Sequence, residues 1–395
     1  MTSQRSTRPL LMMTLLVLAV FCSMAGRTVF APLMPALQTE LGFGLSAAGT
    51  LFLLVSIGYG GAMLASGFLA ARVGHGKTIV AALAIITVGL GLAALTSRVW
   101  LLAVSMTLIG AGAGTYPPSG LVMISDAISV ERRSTAFALH EVGPNLALLL
   151  SPLIVLAFEP VLGRRGVLAA FALLSALAAA AFLRWGVSGS GRGTAPRLST
   201  VASILRQRNT LPGMVILSAA IAGMHGVYSI LPAYLVADHG LPVDRVNLLL
   251  AVSRITGIAL LLRAGAVINR IGRRPTMAGG LIFSAAFTAA IGLARGTLLT
   301  VVVIAQPALL TALFPAALSS MALIGDPRQG NITYGLIITV GIGIGAGIAP
   351  ALLGLFGDLG LGWAGFLLLG AYMLFAVGLL WSTPGFGHDP RPHTR

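Results

Sequence analysis

Apolar residues run along this chain in long blocks that do not alternate with polar ones, as in Leu10 to Ala25, Thr78 to Leu95, Val167 to Leu183 and Phe366 to Leu380. Short stretches rich in Arg, Gly and Pro divide the blocks. A helix needs about 20 predominantly apolar residues to cross a hydrocarbon core about 30 Å thick. Strands of a membrane barrel would instead alternate over about 10 residues. Lipid offers the backbone no hydrogen-bonding partner, so helix and closed barrel are the two spanning forms, and the pattern selects helix. Reading from break to break predicts twelve spans, at 10–36, 46–71, 78–96, 100–125, 135–158, 166–185, 211–236, 245–268, 277–294, 298–323, 332–355 and 361–381.

Composition agrees. Hydrophobic residues make up 57% and charged residues 9%, with a mean hydropathy of +0.96, whereas a soluble domain is about 25% charged. The net charge of +15 would suit nucleic acid, but the positive-inside bias of membrane helices accounts for it. Seventeen of the 25 basic residues, among them Arg72, Lys77, Arg132, Arg133, Arg270 and Arg273, lie on the N-terminal side of the membrane. Arg98, Arg164, Arg165, Arg245 and Arg295 lie on the other side, and Arg27, Arg254 and Arg263 fall inside spans. Both termini are therefore expected in the cytoplasm, on a multi-pass protein of the inner (cytoplasmic) membrane, with no nucleic-acid partner. Cys22 is the single cysteine, so no disulfide or Cys metal site forms within the chain. The run after Arg8 is expected to stay as a first helix.

The segment Gly67-Phe-Leu-Ala-Ala-Arg72-Val-Gly74-His-Gly-Lys77 returns 198 residues later as Gly265-Ala-Val-Ile-Asn-Arg270-Ile-Gly272-Arg-Arg274. At the same offset Tyr116-Pro117 falls on Phe314-Pro315, Pro152 on Pro350, Gly42 on Gly240 and Phe30 on Tyr228. One register shared by so many landmarks means two copies of one unit. Between them Ser188 to Arg208 is rich in Gly, Ser and Arg and free of acid, the composition of a linker, with an amphipathic stretch at 200–208. The expected organisation is an N-terminal six-helix bundle at 1–187, a cytoplasmic linker at 188–209 and a C-terminal six-helix bundle at 210–395.

Two six-helix repeats with this loop motif resemble the major facilitator superfamily along the whole chain. The resemblance implies an all-α integral membrane fold of twelve transmembrane helices in two six-helix repeats, a monomer, and transport by alternating access. The residues that carry it, Gly67, Arg72, Gly74, Gly265, Arg270 and Gly272, become candidates for gating. Members of the family usually place an Asp before the motif Arg, where it belongs to a latch on the cytoplasmic side; this chain has Ala71 and Asn269. Drug/proton antiporters of the family usually carry Gly-Pro-x-x-Gly-Gly in span five, and here Gly143-Pro144 is followed by neither glycine. Pro117 and Pro315 would kink spans four and ten and join the gating set.

Ionisable groups deep in lipid cost roughly 2.5–3.5 kcal/mol each on insertion scales, so each is a candidate for function. Arg254 lies eleven residues before Gly265, about 16 Å from that end of its helix, and Arg27 lies eight residues before Pro35, about 12 Å from the opposite end. The repeat offset puts His225 at the position of Arg27. These three are expected to form a cationic pocket for a small organic anion, because a guanidinium presents a planar fork of donors and keeps its charge when desolvated. The resemblance adds that organic-anion symporters, phosphate-ester exchangers and monocarboxylate carriers keep an Arg in span one or eight. Tyr228, Tyr116 and Asn145 are candidate neutral donors to the substrate. Of the ten acids Glu141 alone lies well inside a span. With His140, about 100° away around the helix, it is the candidate for proton coupling, and protonation of Glu141 would release an Arg to the anion. The competing expectation is a static Arg27–Glu141 ion pair.

The function so read is secondary active transport of a small organic anion, carboxylate first, coupled to protons as symport. Its rivals are drug or metabolite efflux by proton antiport and a membrane receptor that transports nothing. An enzyme is not expected: there is no nucleophile constellation, no metal cluster and no cofactor motif. Gly341, Gly343, Gly345 and Gly347 sit in an apolar span with no preceding strand, which argues for close helix packing instead of a nucleotide loop.

Overall fold

The glycines that mark the sequence repeat also mark a repeat in the backbone. Gly42 and Gly240 each end a first span in left-handed conformation, at φ 70° and 60°. Gly74 and Gly272 turn the next corner with φ 84°, ψ 160° and φ 88°, ψ 163°, a region in which a side chain clashes with its own backbone. Four residues of one type, at one offset, thus hold the same two turns in both halves. The computed structural model describes residues 9–129, 132–186, 198–321 and 330–383, and every regular element among them is helical.

The first half begins with α1 (Pro9–Thr28) and α2 (Phe30–Leu41), which make one broken span, and continues through α3 (Leu45–Val73), α4 (His75–Leu95), α5 (Val99–Ala127) and α6 (Arg133–Trp185). After the short helix α7 (Leu198–Leu205), α8 (Thr210–Ile221) and α9 (Val227–His239) form one span joined by a π-helical turn at Ala222–Gly226. Then follow α10 (Val243–Ile271), α11 (Arg273–Leu293), α12 (Gly296–Ala305) and α13 (Leu310–Met321). The chain closes with α14 (Gly330–Ile342), a second π-helical turn at Gly343–Ile348, α15 (Ala349–Asp358) and α16 (Gly362–Ser382).

Among the described residues nine helices are long and apolar enough to cross a membrane, or ten with the bent α10 taken as one span. The remaining two of the expected twelve are hidden by how breaks fall. α6 is 53 residues long and is two spans joined at Gly163, whose φ of 62° and ψ of 172° are not helical. The loop expected at 159–165 is therefore a single-residue corner. α12 and α13 together make the tenth span, broken at Gln306–Leu309 and not at Pro315. Pro315 is helical, and its side chain lies outside the described residues. α5 likewise runs unbroken through Pro117 and Pro118. Part of the expected linker, 188–197, lies outside the described residues, while the stretch read as amphipathic begins within α7, where Ile204 is buried.

Small residues let the backbones touch. A Cβ on Gly110 of α5 would stand 2.0 Å from the carbonyl oxygen of Val55 in α3, and one on Gly114 would stand 2.1 Å from that of Tyr59. The halves meet in the same way. α3 packs on α15, where a Cβ on Gly49 would come within 2.3 Å of Pro350 O and one on Gly354 within 2.2 Å of Leu45 O. At the end of this seam Asp358 accepts hydrogen bonds from the amides of Leu45 and Ser46, both at 2.8 Å. It thereby satisfies two of the donors that the first turn of α3 leaves open. α6 against α10 and α2 against α9 complete the contact between halves.

Candidate functional site

Two arginines from different halves are held in matching surroundings. Arg27 projects from the last turn of α1 and is half-buried. Its guanidinium lies over the ring of Tyr59 from α3, with its central carbon 4.8 Å from the ring centroid. Nη2 donates to the sulfur of Met24 at 3.0 Å, and Nε donates to nothing in the protein. Arg254, in the middle of α10, is 6% exposed. Its guanidinium covers the ring of Tyr228 from α9 at 4.6 Å, and Nη2 donates to the carbonyl of Met224 at 3.3 Å. Its Nε and Nη1, and the hydroxyl of Tyr228, have no protein partner. In each half, then, a cation rests on a phenol from the adjoining span. The electron-rich ring face offsets part of the cost of removing the cation from water, by about 0.5–2 kcal/mol.

The π-helical turn at Ala222–Gly226 shapes the second of these sites. An i to i+5 turn frees carbonyls and re-aims side chains. Met224 O accepts from Arg254, while Gly223 O accepts from Nε2 of buried Gln306 at 3.0 Å. Gln306 is fixed in turn by Ser284 and Thr288, at 3.1 and 3.0 Å. His225 stands in the same turn, edge-on to Phe314 with centroids 6.5 Å apart, and within electrostatic reach of both Arg27 and Arg254. Arg27, Arg254, His225 and Tyr228 are thus brought to one region.

The acids do not neutralise it. Among the described residues the ion pairs are His140–Glu141, Arg164–Glu40 and Arg165–Glu40. The static Arg27–Glu141 pair weighed from sequence is absent, because Arg27 lies against Tyr59 and the side chain of Glu141 is 62% exposed. Glu141 is nevertheless close enough to act electrostatically on Tyr59. Arg164 and Glu40 serve a different purpose, since Arg164 also donates to Ala93 O and Thr96 O and so caps α4.

Two expected substrate donors are otherwise engaged. Tyr116 is 1% exposed, and its hydroxyl is committed to Leu16 O at 2.9 Å and to His140 Nε2 at 2.8 Å. The amide of Asn145 donates to Glu141 O at 2.8 Å, one turn back in its own helix. Of the motif residues, Arg72 and Arg270 are exposed near the Gly74 and Gly272 corners, while Gly67 and Gly265 occupy late turns of α3 and α10. Among the described residues no group of three potential metal ligands occurs. Tyr59, Gln306 and Asp358 were not singled out from sequence. An isolated phenol or amide in an apolar span was the available signal for the first two, but Asp358 reads as an ordinary span end.

A family model described as Major Facilitator Superfamily matches residues 16–243. The chain belongs to the major facilitator superfamily. This superfamily member is a secondary transporter and not an enzyme, carried in a bilayer on multiple helices and built to pass a small molecule. Comparison with curated proteins returns no sequence match. Among solved structures it is similar to a bacterial homolog of the human lysosomal transporter Spinster in an inward-facing and occupied conformation. The TM-score is 0.76 and the identity 14%, over 96% of this chain and 98% of that one. The nucleoside transporter NupG gives a TM-score of 0.74 at 12% identity, over 96% of this chain and 100% of that one. A variant of the peptide transporter POT gives 0.75 at 16% identity, over 97% and 96%. At such identities the likeness establishes the fold of the superfamily member and leaves its substrate to its own side chains.

Proposed function

We propose that this protein carries a small organic anion, a carboxylate first, across the inner membrane by alternating access, in symport with protons. The observation that carries the reading is the placing of Arg27 and Arg254. They are two guanidiniums from opposite halves, each on a tyrosine face, with open N–H groups and no carboxylate within ion-pair distance. A buried cation without a counterion is costly, and an anionic solute that supplies the missing charge recovers that cost on binding. The planar fork of donors suits a carboxylate or a phosphate ester. His225 and Tyr228 complete the cradle. Efflux of neutral or cationic drugs would want these arginines turned away or neutralised.

The halves, taken as 1–187 and 210–395, rock about this chamber with 188–209 as a cytoplasmic connector and both termini in the cytoplasm, as the distribution of Arg predicts. The protein acts as a monomer. Glu141, with His140 beside it, takes up the coupling proton from solvent. Proteoliposomes under an inward proton gradient test this, screened with labelled mono- and dicarboxylates. Uptake against a concentration gradient is expected for the native protein. In Glu141→Gln, accumulation should vanish while exchange of internal for external substrate persists. Gradient-driven uptake at native level in that variant would remove Glu141 from the mechanism.

A further inference from the structure

The contacts of His140 assign the atom that stores the proton. The hydroxyl of Tyr116 has one hydrogen and two partners: the carbonyl of Leu16 in α1 at 2.9 Å and Nε2 of His140 at 2.8 Å. A carbonyl oxygen only accepts, so that hydrogen goes to Leu16 O, and the hydroxyl lone pair must accept from Nε2–H. The imidazole lies flat against the phenol, with ring planes 5° apart and centroids at 5.9 Å, and His140 is 5% exposed. A flip of the ring would keep the planes parallel but lose the Nε2 hydrogen bond to Tyr116. Nδ1 is left as a bare lone pair, buried and without a hydrogen-bond partner. Oε1 of Glu141 lies 3.7 Å from it.

A lone pair facing a carboxylate is unstable in the absence of a proton, and one proton between them converts repulsion into a charge-assisted bond. Resting on the reading that protons drive this carrier, we propose that His140 Nδ1 is the proton store, that Glu141 is its exposed antenna, and that Tyr116 is the positioning residue holding the receptive tautomer. The burial difference gives the division of labour, with side chains 6% exposed for His140 and 62% for Glu141. A proton from solvent reaches the Glu141 carboxylate and passes to Nδ1, forming an imidazolium whose two N–H groups point at Tyr116 Oη and Glu141. Loss to solvent reverses both steps.

The surroundings leave this pair in charge of the site. From α5 the facing titratable group is Tyr116, with Asp126 ten residues further along. α1 meets the ring region through the Leu16 carbonyl, and its charged residue is Arg27, eleven residues beyond. From α4, His75 is turned to Ser119, with Nδ1 at 3.1 Å from its hydroxyl, and Lys77 is exposed. α10, which also packs on α6, brings Arg254, whose guanidinium lies over Tyr228, and α2 brings Glu40, paired with Arg164 and Arg165.

Nitrogen NMR of the full-length protein in detergent micelles, labelled with [15N]histidine, reads the tautomer directly and needs no substrate. The His140 signals are those lost in His140→Gln. The proposal expects neutral His140 as the Nε2–H form, with Nδ1 shifted as an unprotonated nitrogen. Tyr116→Phe should raise the Nδ1–H form at least several-fold. Glu141→Gln should leave the Nε2–H tautomer in place but change the Nδ1 resonance, because the acceptor-only carboxylate beside that lone pair becomes an amide. Neutral His140 in the Nδ1–H form, or an Nδ1 resonance untouched by Glu141→Gln, would overturn it. If Tyr116→Phe does not fold, the native and Glu141→Gln spectra decide. No anion enters the experiment, so a failed search for a transported carboxylate leaves this result standing, and the reverse also holds.

Discussion

Arg254 lies on the face of Tyr228 at 4.6 Å, and of its guanidinium nitrogens only Nη2 donates within the protein, to Met224 O. The ring holds the cation in place without consuming its donors, and Nε and Nη1 stay buried and unpaired. Arg27 on Tyr59 repeats the device in the other half with the roles of the two spans exchanged, since Arg is on the first span there and on the second here.

Separating ring from hydroxyl tests that device. Tyr228→Phe keeps the cation on a ring and should leave thermal stability in micelles nearly unchanged. Tyr228→Leu removes a contact of about 0.5–2 kcal/mol and should lower the melting temperature. An equal loss in both variants would mean that the hydroxyl, not the ring, holds Arg254.

Asp358 joins the halves at one end of their seam through two amide hydrogens of α3. Bonds to a charged acceptor contribute about 1.5–3 kcal/mol, so Asp358→Asn should speed hydrogen exchange at Leu45 and Ser46 by roughly tenfold. It should also shift the carrier toward the state in which this end is open, read by labelling of a cysteine placed at Ser46. Unchanged exchange would show that the glycine seam alone closes that end. With Ala71 and Asn269 in place of the usual acids at the opposite loops, this is where the chain keeps a carboxylate between its halves.

Helix contact through glycine can be checked with a paired substitution in α3 and α5. Gly110→Ala drives a methyl onto Val55 O and should cost about 1–3 kcal/mol through overpacking. Gly61→Ala has nothing within 4 Å of the new atom and should be neutral or slightly stabilising. Melting curves of both in the same detergent give the comparison, and equal effects would contradict backbone contact at Gly110.

Much of the architecture was legible because membrane helices write it in composition and in turn glycines. The pairs Gly42/Gly240 and Gly74/Gly272, found as a sequence echo, hold the same backbone angles in both halves. Span limits were readable to a few residues. What escaped depended on how spans meet. A corner made by Gly163 alone looks like a loop when only Arg164 and Arg165 are counted, yet Arg164 is buried on Glu40 and the end of α4. The π-helical turns at Ala222–Gly226 and Gly343–Ile348 meet through glycines of the two segments: a Cβ on Gly226 would lie 2.4 Å from Gly345 O. No local propensity announces them.

Depth along the sequence singles out Arg27, Arg254 and His225, which the fold brings to one region. Depth could not say which tyrosine faced which arginine. Tyr116, a candidate donor on sequence grounds, is spent on His140, while Tyr59, which depth does not single out, carries Arg27. The angle of about 100° between successive residues accords with the different exposure of His140 and Glu141, one buried and one open to the surroundings.

The most direct test of the anion chamber is a thermal-shift screen of the purified protein against carboxylates, phosphate esters and sulfonates, repeated with Arg254→Ala and Arg254→Lys. The account predicts that at least one anion raises the melting temperature. The shift should be lost in Arg254→Ala and weakened at least tenfold in affinity in Arg254→Lys, which keeps the charge without the planar fork. Stabilisation only by neutral or cationic compounds, or by anions equally in native protein and Arg254→Ala, would contradict it.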